Sequence, residues 1–219
     1  MIAVITQRVI QDPLYGEIRD ALSHEWYSFL KAAGFDLVIP IPNTGKSVSD
    51  WIKHVKPDLI VLSGGNNVEY GQLHSETSSP LSKIRDESEA ALLEVACSGQ
   101  IPVLGVCRGM QFIYAYFGGQ LLRKSGHVAA SHEIKLNLPN DADPMEWKSN
   151  VVNSYHNYCI GSHLPECLQP IGYHVGDHTI EAFVHRDYPM LGVMWHPERN
   201  KPYSKLDIEL IHTILRFPK

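Results

Sequence analysis

Short runs of consecutive apolar residues alternate with longer stretches in which apolar residues recur every three or four positions. Ile2–Thr6, Phe35–Ile39, Leu59–Leu62 and Ile101–Val106 have the length and aliphatic content of strands buried on both faces, as in a parallel sheet. Between them, Glu17 to Ala33 carries Ile18, Leu22, Trp26, Phe29, Leu30 and Ala33 at helical spacing, with Gly34 as a stop. Ser47 to Val55 predicts a short helix closed by Pro57, Arg85 to Cys97 a further helix, and Met110, Ile113, Tyr114 and Phe117 the buried face of another. Beyond these, His132–Leu136 and Val151–Tyr158 read as half-buried strands, the latter running into a loop. Thr179–Val184 and Met190–Met194 form a hairpin-like pair through residues 185–189, and Lys205 to Phe217 forms a C-terminal helix. Val68–Pro80, Arg123–Ser131 and Asn137–Asn150 read as loops. The alternation predicts an α/β protein with a mostly parallel open sheet, and the absence of any linker or repeat predicts one domain over residues 1–219.

Bulk properties narrow the function classes. The net charge of −5 shows no basic excess, which argues against nucleic acid as a partner. No apolar run approaches the roughly 20 residues of a membrane span. The chain enters its first strand without a basic leader, so the expected location is the cytoplasm. Cys97, Cys107, Cys159 and Cys167 show no paired zinc-ligand spacing and are too few for a disulfide scaffold, so free thiols are expected. The twelve histidines are numerous, but a count does not separate ligands, bases and surface residues.

The stretch Ile101–Gln120 concentrates the chemistry. Its apolar run ends in Gly105-Val106-Cys107-Arg108-Gly109 and a helical pattern begins at once, which is the strand–turn–helix of a nucleophile elbow with cysteine in the serine position. The small residues two before and two after Cys107 fit the crowding of such a turn. A helix starting there directs its unpaired N–H groups and positive dipole end at the sulfur. The alternative is a structural cysteine beside a glycine turn. A thiol nucleophile needs a base, and the base an orienting carboxylate. His196 and Glu198, separated by Pro197 at the end of a predicted strand, supply both. Ser63-Gly64-Gly65 follows another buried strand, where a glycine pair brings backbone amides close to a ligand.

These motifs carry a resemblance. Gly105–Gln111 (GVCRGMQ), Leu62–Gly65 (LSGG) and Met194–Glu198 (MWHPE) are similar to the three signatures of the class I glutamine amidotransferase family, and the likeness spans essentially the whole chain. The resemblance implies a flavodoxin-like three-layer sheet, a Cys107–His196–Glu198 triad and an oxyanion hole from the amides of Gly65 and Arg108. It also places Gln111 at the position that holds the glutamyl group. Arg108, the Arg85-Asp86 helix start and Val152–Tyr158 (VNSYHNY) resemble the branch that hydrolyses γ-glutamyl amides, in which the segment of Tyr155 and His156 lines the site.

The run at 181–198 is similar to hydrolases of γ-glutamyl-γ-aminobutyrate and of γ-glutamyl-CDP-amidate, the latter serving capsule phosphoramidate synthesis. The N-terminal layout leans toward the second. The implied reaction releases glutamate through a thioester and requires no metal or organic cofactor. If the leaving group carries phosphates, Arg8, Arg85, Arg123, Lys124 and His127 are the candidate donors. The alternatives are a glutaminase subunit passing ammonia to a partner synthase, and a redox-sensing or binding protein whose elbow cysteine is oxidised. A homodimer is left open.

Overall fold

The computed structural model describes residues 1–73, 80–137 and 147–217. In chain order the elements are β1 (Ile2–Thr6), β2 (Arg8–Gln11), β3 (Ile18–Ala21), α1 (Glu25–Ala32), β4 (Leu37–Ile41), α2 (Val48–Val55), β5 (Leu59–Leu62), α3 (Pro80–Gly99), β6 (Val103–Val106), α4 (Arg108–Tyr116), β7 (Leu122–Arg123), β8 (Val128–Leu136), β9 (Lys148–Tyr155), β10 (Tyr158–Cys159), β11 (Leu168–His174), β12 (Ile180–His185), β13 (Met190–Val193) and α5 (Lys205–Leu215). A nine-stranded sheet runs in the order β4-β1-β5-β6-β13-β12-β11-β8-β9. The strands from β4 to β13 pair in parallel, and β12, β11, β8 and β9 extend the sheet antiparallel from β13.

The two-residue period of the strands sorts the core into two layers. Ala3 and Ile5, Leu59 and Val61, Leu104 and Val106, and Leu191 and Val193 face one side, where α1 supplies Trp26, Phe29 and Leu30 and α5 supplies Leu210, Ile211 and Ile214. Val4, Ile60, Leu62, Val103 and Met190 face the other side, covered by α2, α3 and α4 through Ile52, Leu92, Leu93, Met110 and Ile113. Helices on both faces account for the nearly unbroken apolar character of the central strands. The fold is therefore the flavodoxin-like α/β architecture that the resemblance implied. Among the described residues, no helix is long and apolar enough to cross a membrane, and all four cysteines are free thiols.

Five expectations change. The helix read over Glu17–Ala33 is confined to Glu25–Ala32, because Ile18–Ala21 instead pairs antiparallel with Arg8–Gln11. Asp12 closes that hairpin by accepting the N–H groups of Leu14 and Tyr15 at 2.9 and 3.0 Å, and Asp20 is held by Asn43. Ile18, read as part of a buried stripe, is largely exposed. The second strand lies at Leu37–Ile41, two residues later than read, and α3 extends beyond Arg85–Cys97 at both ends. Residues 128–131 belong to β8 and not to a loop, and 148–150 begin β9. Residues 74–79 and 138–146 of the expected loops lie outside the described residues.

Behind the last parallel strand, Trp195 donates its indole N–H to Asp207 at 2.9 Å, and both residues are buried. Burial pushes the Asp207 carboxyl up to about 6, against the Trp195 hydrogen bond and with help from the neighbouring Glu198 charge. A carboxyl raised in the fold contributes stability that is complete below the unfolded value near 3.8 and is lost as pH climbs through about 6. Asp207→Asn keeps the acceptor without the charge. It is expected to raise Tm at pH 8 by an amount equivalent to at most about 3 kcal/mol, with the gain vanishing below pH 4 in a thermal-melt series.

Candidate active site

The elbow is built by close approach. Gly109 in the first turn of α4 lies so near β5 that a Cβ there would stand 1.9 Å from the Leu62 carbonyl oxygen. A Cβ on Gly105 would stand 2.8 Å from the Gly109 carbonyl carbon, so the two glycines flanking Cys107 nest against each other. Cys107 itself adopts φ 52° and ψ −104°, a left-handed conformation that is strained for a residue with a side chain. Its N–H donates to the Val193 carbonyl at 2.8 Å and its carbonyl accepts from Gln111 N–H at 3.0 Å, fixing the turn between β13 and α4. Arg108, the next residue, opens the helix, so its N–H is one of the first-turn groups without an intrahelical partner.

His196 and Glu198 meet this elbow from the end of β13. His196 Nδ1 lies 2.7 Å from Glu198 Oε1, and both side chains are buried. The backbone of His196 is clamped on both sides by Asn153 of β9: His196 N–H donates to Asn153 Oδ1 at 2.8 Å, and Asn153 Nδ2 donates to the His196 carbonyl at 2.9 Å. Asn153 escaped the sequence reading, since an amide inside a strand leaves no local signal of the backbone it grips. The Tyr155 and His196 rings meet edge-on with 5.7 Å between centroids, and the Arg199 guanidinium lies over the Tyr155 ring. Burial alone would lower His196; hydrogen bonds to Cys107 and Glu198 and the charges of both outweigh it and lift the imidazole to about 9.

The turn after β5 faces His196 closely enough that a Cβ on Gly64 would stand 2.6 Å from its Cε1. Arg85 shapes this turn. Fully buried, it donates through Nη2 to the Ser63 carbonyl and through Nη1 to those of Gly64 and Gly65, at 2.5, 3.0 and 2.7 Å. With those carbonyls drawn onto one guanidinium, and with Gly65 at φ +88°, the Gly65 N–H is left for the site side of the turn. Arg85 Nε also bonds Glu89, and Arg108 bridges Glu89 and Asp86, so two cations and two anions of α3 and α4 balance inside the protein. Asp86 accepts the N–H groups of Glu69 and Tyr70 at 2.8 Å each.

A cavity of about 300 Å³ opens beside the pair, lined by Arg8, Ser23, Trp26, Gly64, His196 and Arg199 among others. Of the five basic candidates for phosphate, Arg8 alone lines it, with its guanidinium over Gly65. Arg85 is consumed in the turn, Lys124 and His127 bind Asp177, and Arg123 lies on the exposed β7. Gln111 is buried, its Nε2 on the Tyr158 carbonyl at 2.8 Å. His156 does not line the cavity: strand alternation turns Tyr155 outward and His156 inward, where its Nδ1 meets the Tyr158 carbonyl at 3.1 Å. Burial drives His156 down to about 3, with the nearby His127 adding to the fall, so its ring is neutral. A larger cavity of about 540 Å³ over α3 touches none of Cys107, His196 and Glu198.

Comparisons with known proteins bear on the family and the fold. The chain is 31% identical over 208 residues to a γ-glutamyl-CDP-amidate hydrolase of Campylobacter jejuni, with 93% of each chain covered. It is 26% identical over 151 residues to a carbamoyl phosphate synthase small chain of Clostridium perfringens, covering 68% of this chain and 37% of that one. A glutamine amidotransferase of Thermotoga maritima superposes with a TM-score of 0.56 at 18% identity, covering 90% of this chain and 76% of the other, which speaks for the shared fold. The sequence pattern of peptidase C26 matches residues 1–198, and the chain belongs to that family, the γ-glutamyl hydrolase branch of the class I glutamine amidotransferase-like proteins.

Proposed function

We propose that this chain cleaves a γ-glutamyl amide through a Cys107 thioester and that the amine it releases is a nucleotide phosphoramidate of the CDP-amidate class. The observation that carries the reading is the convergence of Cys107, His196 and Glu198 at a strained elbow, with His196 held protonated up to about 9. Cys107 Sγ bonds to the γ-carbonyl carbon, and the carbonyl oxygen takes the electron pair under the amides of Gly65 and Arg108. The C–N bond then breaks as His196 delivers its proton to the departing nitrogen. Neutral His196 next takes a proton from the water that attacks the thioester, releasing glutamate and restoring Cys107. Glu198 keeps Nδ1 oriented throughout. Gln111 and Tyr155 are the side chains assigned to the glutamyl end; His156 supports them by holding the Tyr158 carbonyl that Gln111 also binds.

Similarity over nearly the whole length to a γ-glutamyl-CDP-amidate hydrolase supports the choice of leaving group. Arg8 and Arg199 beside the cavity supply the cations a diphosphate requires. Likeness to a carbamoyl phosphate synthase small chain favours a second reading, a glutaminase subunit working with a synthase.

Glutamate release from glutamine, γ-glutamyl-γ-aminobutyrate and γ-glutamyl-CDP-amidate separates these readings. Turnover of the nucleotide conjugate far above the other two, abolished in Cys107→Ala, is expected. Release from glutamine alone, or only after a synthase is added, would move the assignment to the glutaminase subunit. Arg8→Ala is expected to raise KM for the nucleotide conjugate about 10- to 100-fold, the worth of a charge-assisted contact, while altering KM for γ-glutamyl-γ-aminobutyrate little; equal effects on both would remove Arg8 from phosphate recognition. Glu198→Gln is expected to cut kcat by about 100- to 10,000-fold. The same substitution keeps an acceptor for Nδ1 but removes the negative charge that helps raise His196, so its titration midpoint, followed by NMR of the ring, should fall below about 9. An unmoved midpoint with full activity would refute the assigned role of Glu198.

A further inference from the structure

A second cluster of titratable groups lies in the antiparallel extension, apart from Cys107. His127 precedes β8, His132 lies within it, His156 follows β9 and Glu181 sits near the start of β12. His127, His156 and Glu181 are almost fully enclosed, and the His132 side chain is nine-tenths buried. The polar atoms that find no hydrogen-bond partner coincide here: His127 Nδ1, His132 Nε2, His156 Nε2 and both carboxylate oxygens of Glu181. Buried polar atoms are ordinarily satisfied, so five such atoms on neighbouring side chains call for a missing partner.

The opposite edges of two rings are already spoken for. His127 Nε2 meets Asp177 Oδ2 at 2.9 Å, which leaves Nδ1 as the lone-pair nitrogen. His156 Nδ1 meets the Tyr158 carbonyl at 3.1 Å, which leaves Nε2 as the lone-pair nitrogen. A carboxylate or a carbonyl on the far nitrogen is the arrangement that orients an imidazole toward a metal. Glu181 faces the rings, with Oε2 3.2 Å from His132 Nε2 but without an aligned hydrogen bond, and Oε1 3.8 Å from His156 Nε2. One ligand atom from each of His127, His132 and Glu181 lies within 4.8 Å of the others, a spacing that small side-chain rotations bring onto one ion.

We propose that His127, His132 and Glu181 hold a divalent transition-metal ion of the zinc class, with His156 outside the three-ligand set. Two imidazoles and a carboxylate suit zinc in ligand type, and a water completes the four-coordinate shell. His174 is not a ligand. Its Nδ1 accepts the N–H groups of Gly176 and Asp177, and its ring lies edge-on to His132 with 4.3 Å between centroids. His174 instead borders a cavity of about 460 Å³ with Trp147 and Tyr173. The ion pins β8 to β12, and β8 pairs with β9, the strand whose Asn153 grips the backbone of His196.

The experiment uses the whole chain freed of any histidine tag. After stripping with dipicolinate and reloading with Zn²⁺, elemental analysis is expected to find about one zinc per chain. The reloaded protein should melt more than about 5 °C above the stripped one. Co²⁺ in place of Zn²⁺ should give the visible absorption of a tetrahedral site. Glu181→Gln and His132→Gln, each isosteric enough to keep the fold, should lose the bound metal and the Tm gain, while His24→Gln on the surface keeps both. Should either variant fail to fold, the loading, melting and Co²⁺ spectrum of the unmutated chain decide alone. Failure of the stripped protein to take up zinc, or full loading in folded Glu181→Gln and His132→Gln, would overturn the proposal and leave the cluster as a proton-sharing network. None of these readouts involves γ-glutamyl turnover, so they stand or fall apart from the proposed reaction.

Discussion

The close approach of α4 to β5 is the constraint on which the candidate site depends. With Gly109 seated against the Leu62 carbonyl, no side chain fits at that position, and the helix that begins after Cys107 must start directly beside the turn at residues 63–65. Two backbone features needed for acyl chemistry, a helix start and a glycine turn, thereby fall next to each other from strands that pair in register, Leu62 against Gly105. Cys107 takes its strained conformation as a consequence: the chain leaves β6 and enters α4 within one residue, and the N–H of that residue remains bonded to β13.

Such crowding needs something to hold it, and the buried ions of α3 do so. Arg85 gathers the carbonyls of the 63–65 turn, Arg108 anchors the first turn of α4, and Glu89 bonds both guanidinium groups. A buried ion cluster is weak evidence for stability, because desolvation offsets most of the Coulomb attraction, but removing one member strands its partner at about 3–5 kcal/mol. Its physical contribution is directional. Carbonyls drawn toward Arg85 turn the amides of the same peptides the other way, which a hydrophobic filler of equal volume would not achieve.

What was legible in the sequence follows from range. The parallel half was readable because its strands are short apolar runs bounded by glycine and proline, and because the residues of the elbow and of His196-Pro197-Glu198 are local in the chain. The β2–β3 hairpin was not, since Ile18, Leu22 and Trp26 mimic a helical stripe although Ile18 faces solvent. Arg85 and Asn153 were invisible in their roles, because each acts on backbone that lies 20 or more residues away in sequence. The cluster around Glu181 was hidden for the same reason. Its members at 127, 132, 156 and 181 share no short motif, and only the pairing of β8 with β9 and the fold of β11 onto β12 bring them together.

The two halves of the sheet therefore divide the work. The parallel half supplies the reactive backbone: an elbow, a glycine turn and a strand end that presents His196. Orientation of His196 comes from the antiparallel half, since both backbone groups of that residue are held by a side chain of β9, and Tyr155 of the same strand packs on its ring. In the proposed reaction His196 delivers a proton and then recovers one, and such a group tolerates little displacement between the two steps. The edge strand of a sheet is where displacement is easiest, because one of its sides lacks a pairing neighbour. What holds that edge is its long pairing with β8, running from Val128 opposite Tyr155 to Leu136 opposite Lys148, which ties it to the interior of the sheet through β11.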